Sequence, residues 1–354
     1  MQIIKNKIEW NRILRSNFQE LMDIYFRYEY FDLYSKTYDV LPEGLYWEDK
    51  NVKIFWSHLI RKIKNIDLFK DYNYYDLTTP YGYGGPLIYP TVDDCDELED
   101  SLEIFFNEYL EYAGEQKYVC EFIRFYPILK NWVNFEKLFN TIYLNDVVVL
   151  DLTQDYEEIW GNMAKNTRYY TKKALTEFEK IVIADNPTTE EINEFVSLYY
   201  ETMDKNNATK KYYFPHEFIK NHYNFGNLLI YCKNKDNIVG SSAMFLKGNQ
   251  ILHYHLSATN YSFKNPPSRA VLWGAIEWAK EHGLNYLYFG GGRAKNDSLF
   301  NFKKGFSKTY LPFYIGKIMF DSKIYKELTS LNSLTKENRD FFPLYRVGYD
   351  ETIV

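Results

Sequence analysis

The stretch 252–306 constrains the fold more than any other part of the chain. It reads LHYHLSATNYSFKNPPSRAVLWGAIEWAKEHGLNYLYFGGGRAKNDSLFNFKKGF: a strand, a short turn, a long amphipathic helix, a second strand, the Gly290-Gly291-Gly292 turn and a short basic segment. A helix between two strands must cover the sheet those strands build, so the class is α/β, mixed α+β in detail. The order occurs once more. A helix ending at Ala113-Gly114 leads to a strand at 118–125, as a helix ending at His282-Gly283 leads to a strand at 285–289. The two glycines lie 169 residues apart, about half of the 354-residue chain. The chain therefore reads as two copies of one unit, each a central sheet flanked by helices, with the boundary near Asp151.

Periodicity and punctuation supply the remaining elements. Residues 93–113 start acidic and carry Leu98, Leu102, Phe105, Phe106, Tyr109 and Leu110 at helical spacing, with the negative end where the helix dipole favours it. The apolar run 147–152 fits a strand buried on both faces. Asp155 with Glu158 predicts a capped helix to about Phe178, and Thr188 with Glu191 a second to about Lys205. Pro215 suits the first turn of another. Strands at 228–233, 238–247 and 251–257 are joined by turns at Asp236-Asn237 and Gly248-Asn249. In the first half, 54–66 reads as a short helix, 72–77 as a strand and Leu41-Pro42-Glu43-Gly44 as a turn. The glycines and prolines of 78–86 exclude regular structure there.

A net charge of −6 excludes a general nucleic-acid binder, which needs a basic field to displace phosphate counterions. A local basic groove, and with it tRNA, stays open. Cys95, Cys120 and Cys232 are odd in number and far apart, so they read as buried free thiols of a reducing cytoplasm. No apolar run reaches the roughly 18 residues of a membrane helix, and charge interrupts the first fourteen residues. The expectation is a cytoplasmic protein without a transmembrane segment.

Chemistry-bearing residues gather in the opening stretch. Glycines after a strand let the backbone approach a ligand at the carboxyl end of the sheet, which marks Gly291, Gly292 and Arg293. Their spacing fits neither a dinucleotide fingerprint nor a P-loop. In Phe302-Lys303-Lys304-Gly305-Phe306 a lysine between aromatic residues can be desolvated and aimed at a developing oxyanion. Lys165, Arg168, Lys172 and Lys173 share one helix face suited to an anionic substrate. His253 and His255 point to one side of a strand, but no carboxylate or cysteine is spaced to complete a metal site. No metal is expected. A Gly-x-Ser-x-Gly elbow is also missing, so a serine hydrolase has no support.

Taken in order, several segments resemble the Fem-type (FemABX) peptidyltransferases and the wider GNAT-fold acyltransferases. They are 79–86 (TPYGYGGP), 122–127 (FIRFYP), the basic helix around Arg168 to Ala174, the strand Tyr254-His255-Leu256-Ser257, and Phe289-Gly290-Gly291-Gly292 followed by Phe302-Lys303-Lys304-Gly305-Phe306. The resemblance spans roughly residues 72–320. It implies two tandem GNAT-like domains, 1–152 and 153–317, with 318–354 packing back on the first. It also implies catalytic roles for Lys303 and Tyr254. Substrate contacts fall to Tyr81, Tyr83, Arg124, Tyr126, Arg168, Lys172, Tyr213 and Phe302, and donor contacts to Arg269, Gly291, Gly292 and Arg293.

The implied activity is transfer of an acyl or aminoacyl group, from acyl-CoA or aminoacyl-tRNA as co-substrate, onto an amine. The acceptor would be a small-molecule or a lipid- or nucleotide-linked glycan precursor of the cell envelope. The amine attacks the carbonyl directly, without a covalent intermediate. Bridge-forming members carry Asp-Pro where this chain has Tyr126-Pro127, which makes tRNA-dependent peptidoglycan bridge formation the alternative. A non-catalytic GNAT-like module binding a glycan or nucleotide sugar is the other. The turn before the long helix, residues 262–269, lacks glycine, and Pro266 and Pro267 remove backbone donors. Donor phosphates are then held otherwise, or the donor is not CoA.

Overall fold

The computed structural model describes residues 1–336 and 341–349. It divides into two compact units, Met1–Leu144 with Phe313–Val354, and Asn145–Pro312. The first contains β1 (Gln2–Ile4), α1 (Lys7–Asn17), α2 (Tyr28–Thr37), β2 (Val40–Glu48), β3 (Val52–Lys62), β4 (Tyr75–Thr78), β5 (Gly85–Pro90), α3 (Cys95–Glu115) and β6 (Tyr118–Arg124). After β7 (Asn140–Asp151) the second unit follows with α4 (Tyr156–Asn162), α5 (Lys165–Glu177), β8 (Lys180–Ala184), α6 (Thr189–Lys205) and α7 (His216–His222). It continues with β9 (Leu228–Lys233), β10 (Val239–Lys247), β11 (Ile251–Thr259), α8 (Ser268–Glu281), β12 (Tyr286–Gly290) and α9 (Ser298–Lys304). From β13 (Thr309–Met319) the chain passes to α10 (Ser322–Leu331).

Each unit holds a mixed sheet with one parallel pair. In the first the order is β1-β2-β3-β4-β6-β13, and β4 and β6 are the parallel neighbours. In the second it is β7-β12-β11-β10-β9-β8, and β11 and β12 run parallel. Parallel strands need a crossover, and α3 and α8 supply it. These are the two helices whose ends the paired glycines mark in the sequence. Leu102, Phe105 and Tyr109 of α3 pack on Trp56 and Ile123, and Val271, Ala275 and Ile276 of α8 on Val148, Leu252 and Phe289.

Three local readings are corrected. The segment 54–66 is not a helix: β3 lies between β2 on one side and β4 and β5 on the other, and it is buried along nearly all its length. A run buried on both faces has lost the period that separates strand from helix. Leu41 to Gly44 is not a turn but part of β2. Pro42 lies beyond the reach of β1, which pairs only Gly44 to Tyr46, and Gly44 is small because a Cβ there would stand 2.7 Å from the Phe55 ring. Residues 85–90, in the glycine- and proline-rich stretch, also form a strand, β5.

The helix expected from Asp155 to Phe178 is two helices. Asp155 does cap α4, accepting from Glu158 N, but Met163 and Ala164 are extended before α5 begins. The backbone of the break is satisfied by tertiary partners, since Ala164 N donates to Gly305 O at 2.9 Å and Arg168 Nη1 donates to Gly161 O and Met163 O. Cys120 and Cys232 are buried, whereas Cys95 is exposed in the first turn of α3.

The capping box at Thr188 and Glu191 forms in full, with both reciprocal hydrogen bonds. Thr188→Ala is expected to lower unfolding stability by about 1 kcal/mol, read as a shift in the urea midpoint. An unshifted midpoint would mean that the tertiary packing of α6, not its cap, holds the helix start.

Candidate active site

The candidate site in the second unit is built where β12 ends. Gly290 takes a left-handed φ of +73°, a conformation that costs glycine nothing, and so turns the chain out of the strand. Asp297 then organises the turn. One carboxylate oxygen caps α9 at Phe300 N (2.7 Å), and the other accepts from Arg293 N (2.7 Å) and Ala294 N (3.2 Å). The result fixes the start of α9 and the turn before it.

Lys303, at the end of α9, is 8% exposed. Its ammonium donates to Gly291 O at 2.6 Å and lies 5.8 Å from the centre of the Tyr254 ring on β11. Burial pushes its pKa down to about 8, against the opposing pull of Asp297. Holding a lysine at that value disfavours its charged form by on the order of 3 kcal/mol relative to water. Strongly perturbed groups of this kind gather at functional sites. Tyr254 is shifted the other way: burial raises its hydroxyl to about 12, so it keeps its proton at neutral pH.

Arg269, in the first turn of α8, stands among three rings. Its guanidinium carbon is 5.2 Å from the Phe302 ring centre and 5.8 Å from those of Phe306 and Tyr170. Its Nε and Nη1 are buried without a hydrogen-bond partner among the described residues. The backbone around it is committed, with Arg269 N bonded to Pro266 O and Ala270 N to Pro267 O. The structure thus brings Lys303, Tyr254, Gly291, Phe302 and Arg269 into one neighbourhood. Gly292 and Arg293 belong to the turn that Asp297 holds, and a Cβ at Gly292 would meet that carboxylate at 2.2 Å.

The other residues singled out from the sequence sit elsewhere. Arg168 staples the end of α4 through backbone carbonyls. Lys172 stands 5.7 Å from the Trp160 ring and lines an open cavity of about 530 Å³ with Lys173, Thr176, Glu177, Lys264 and Asn265. The Tyr213 hydroxyl donates to Asp204 at 2.7 Å. In the first unit Tyr83 and Tyr126 pack together, ring centres 5.7 Å apart, with Tyr25 against both. The Tyr126 hydroxyl donates to Asp23 (2.8 Å), Tyr81 N donates to Tyr34 OH (3.0 Å), and Arg124 lies 4.7 Å over the Phe122 ring.

Sequence reasoning missed Asp23 and Tyr25, because the first forty residues show no period. It also missed Asp297, for which the signal was present: an Asp three residues before the first buried position of a short helix. His253 and His255 pack against Tyr288 and His222, and burial drives His255 well below its usual range, so this group is neutral. Among the described residues no three metal-ligating side chains group together, and no helix is long and apolar enough to cross a membrane.

Residues 161–304 match the family model described as an acetyltransferase (GNAT) domain. That span contains Lys303, Tyr254, Gly291, Phe302 and Arg269, while Trp160 and Phe306 lie just outside it. Among solved structures, FemX superposes with a TM-score of 0.65 at 13% identity, covering 92% of this chain and 99% of that one. The chain shares the fold of FemX, with a GNAT domain in its second half. L-PGS from Bacillus licheniformis gives 0.58 at 12% identity over 92% of this chain and 96% of its own. A DUF2156 domain from Agrobacterium fabrum gives 0.55 at 12% identity, over 88% and 92%. No curated protein matches the chain in sequence. The Lys303 neighbourhood lies inside the part that the GNAT family model covers.

Proposed function

We propose that the chain is an acyltransferase that moves an acyl or aminoacyl group onto an amine of a cell-envelope or surface-glycan precursor. The observation that carries the reading is the buried, destabilised ammonium of Lys303 beside the Tyr254 ring. The acceptor amine attacks the donor carbonyl, a C–N bond forms, and negative charge grows on the carbonyl oxygen. The Lys303 ammonium and the Tyr254 hydroxyl are suited to stabilise that charge in a site of low dielectric. The tetrahedral species then collapses, the C–O bond to the leaving group breaks, and the departing oxygen takes up a proton as the amine gives one up, by way of solvent. Neither a protein nucleophile nor a metal takes part in these steps.

The donor is an aminoacyl ester carried on tRNA rather than a CoA thioester. At the start of α8 the first-turn N–H groups are bonded to Pro266 O and Pro267 O, which leaves little to cradle a pyrophosphate. Lys172, Lys173 and Lys264 around the 530 Å³ cavity offer separate cations for nucleic-acid phosphates. The likenesses to FemX, to L-PGS and to the lysylphosphatidylglycerol synthetase domain from Agrobacterium fabrum support the same direction.

Thermal-shift titration tests the donor. A ligand that binds only the native state adds about 2.7 kcal/mol at a hundred times its Kd. Aminoacyl-tRNA is expected to raise the melting temperature and to support turnover that RNase abolishes, while acetyl-CoA does neither. Turnover with acyl-CoA that survives RNase would return the donor to CoA and leave acyl transfer standing.

A further inference from the structure

The face of α8 that carries Arg269 continues through Trp273 and Glu277, at steps of four residues and about 6 Å along the helix axis. Trp273 meets Trp160 of α4 edge to face, with ring centres 4.9 Å apart at 86°. The two indoles, with Tyr156, Glu157, Gly161 and Arg168, line an open cavity of about 400 Å³ that the acyl-transfer chemistry does not use, and Glu277 adjoins it through the Trp273 indole. The two cations at this wall are already engaged. Lys172 stands over Trp160, and the Arg168 guanidinium is spent on the carbonyls of Trp160, Gly161 and Met163. Glu277 stands beside Trp273: one carboxylate oxygen takes the indole N–H at 2.6 Å, and the other has no hydrogen bond among the described residues.

We infer that this corner is a saccharide subsite, in which one pyranose ring lays its C–H face on an indole and donates a hydroxyl or amine hydrogen to Glu277. A sugar ring has an apolar face and polar edges. The negative face of an indole attracts C–H groups, and a few placed polar groups beside an apolar wall set orientation. Other occupants fit less well. An alkyl chain on Trp273 would offer no hydrogen to the adjoining Glu277 carboxylate, whereas a sugar edge can. A polyanion would meet Glu157 and Glu277. The inference deepens the proposed function and rests on it for its setting: a glycan acceptor lying along α8 would run from this corner toward Arg269 and Phe302.

Calorimetric and tryptophan-fluorescence titration with N,N′,N″-triacetylchitotriose tests it. Wild-type protein is expected to bind saturably with a change in indole emission. Binding should weaken about ten-fold or more in Trp273→Ala, the loss of one stacking partner, and also in Glu277→Gln. Trp273→Phe, which keeps an aromatic face, should recover part of the affinity. Should Trp273→Ala fail to fold, Glu277→Gln and Trp273→Phe decide. Lys303→Ala should bind the sugar like wild type although its transfer falls by about 10²–10³. No saturable binding by wild type, equal affinity in the folded variants, or preference for a decyl chain over the sugar would each overturn the subsite. Sugar binding lost while transfer persists rejects this inference alone. Transfer unaffected by Lys303→Ala while the sugar binds rejects only the catalytic reading.

Discussion

Lys303→Ala is expected to lower kcat/KM for acyl transfer by about 10²–10³, or roughly 3–4 kcal/mol of transition-state stabilisation, the usual effect of removing one preorganised oxyanion donor. The loss should appear mainly in kcat, because the ammonium meets its partner only as charge develops on the carbonyl oxygen. Lys303→Arg provides the discriminating control. The lysine pKa is depressed to about 8 by burial, so the cationic form is present below that pH and is lost as pH rises through it. Wild-type kcat/KM should therefore fall on the alkaline side near pH 8. In Lys303→Arg the descending limb should move away, since a guanidinium stays charged, while part of the activity returns. Stability has the opposite sign. The unfolded chain binds more protons than the native one between about pH 8 and 10.5, so this residue's penalty is relieved as pH rises through that window. Undiminished kcat in a folded Lys303→Ala protein would sink the catalytic assignment.

Asp76→Ala is expected to destabilise the first unit by about 3–5 kcal/mol, the range for removing one partner of a buried ion pair. Asp76 is completely buried. Arg61 Nε lies 2.7 Å and Arg346 Nε 2.6 Å from its two carboxylate oxygens, and the Tyr345 hydroxyl donates at 2.7 Å. Burial by itself would raise the carboxyl pKa, but Arg346 and Arg61 outweigh it and hold the group below its ordinary 3.8. The depressed pKa means the contribution is present above pH 3.8 and disappears as pH falls below it. Urea unfolding at neutral pH should show a lower midpoint at unchanged slope, and the gap to wild type should narrow in acid. The same network ties Tyr345 and Arg346 to β4, so Arg346→Ala should reproduce much of the effect. Equal midpoints for wild type and both variants would show that the two guanidinium groups are satisfied without the carboxylate.

How much of this was legible before the structure depended on the range over which the interactions act. The sequence by itself determined the paired helix–strand units, because an amphipathic period and a terminal glycine are local signals. Thr188 with Glu191 and Asp155 were equally readable, since a cap acts within four residues. It also put Lys303 between two aromatic residues. Tertiary structure decided what local signals do not carry. Segment 54–66 became a strand because neighbours bury both its faces, and the helix from Asp155 broke where Gly305 O and the Arg168 guanidinium met its backbone. Only the fold set the Lys303 ammonium against Gly291 O, ringed Arg269 with Tyr170, Phe302 and Phe306, and joined Asp76 to Arg346, 270 residues later. Desolvation and charge pairing depend on atoms distant in the chain, and it is these that distinguish a solvated basic turn from a buried cation.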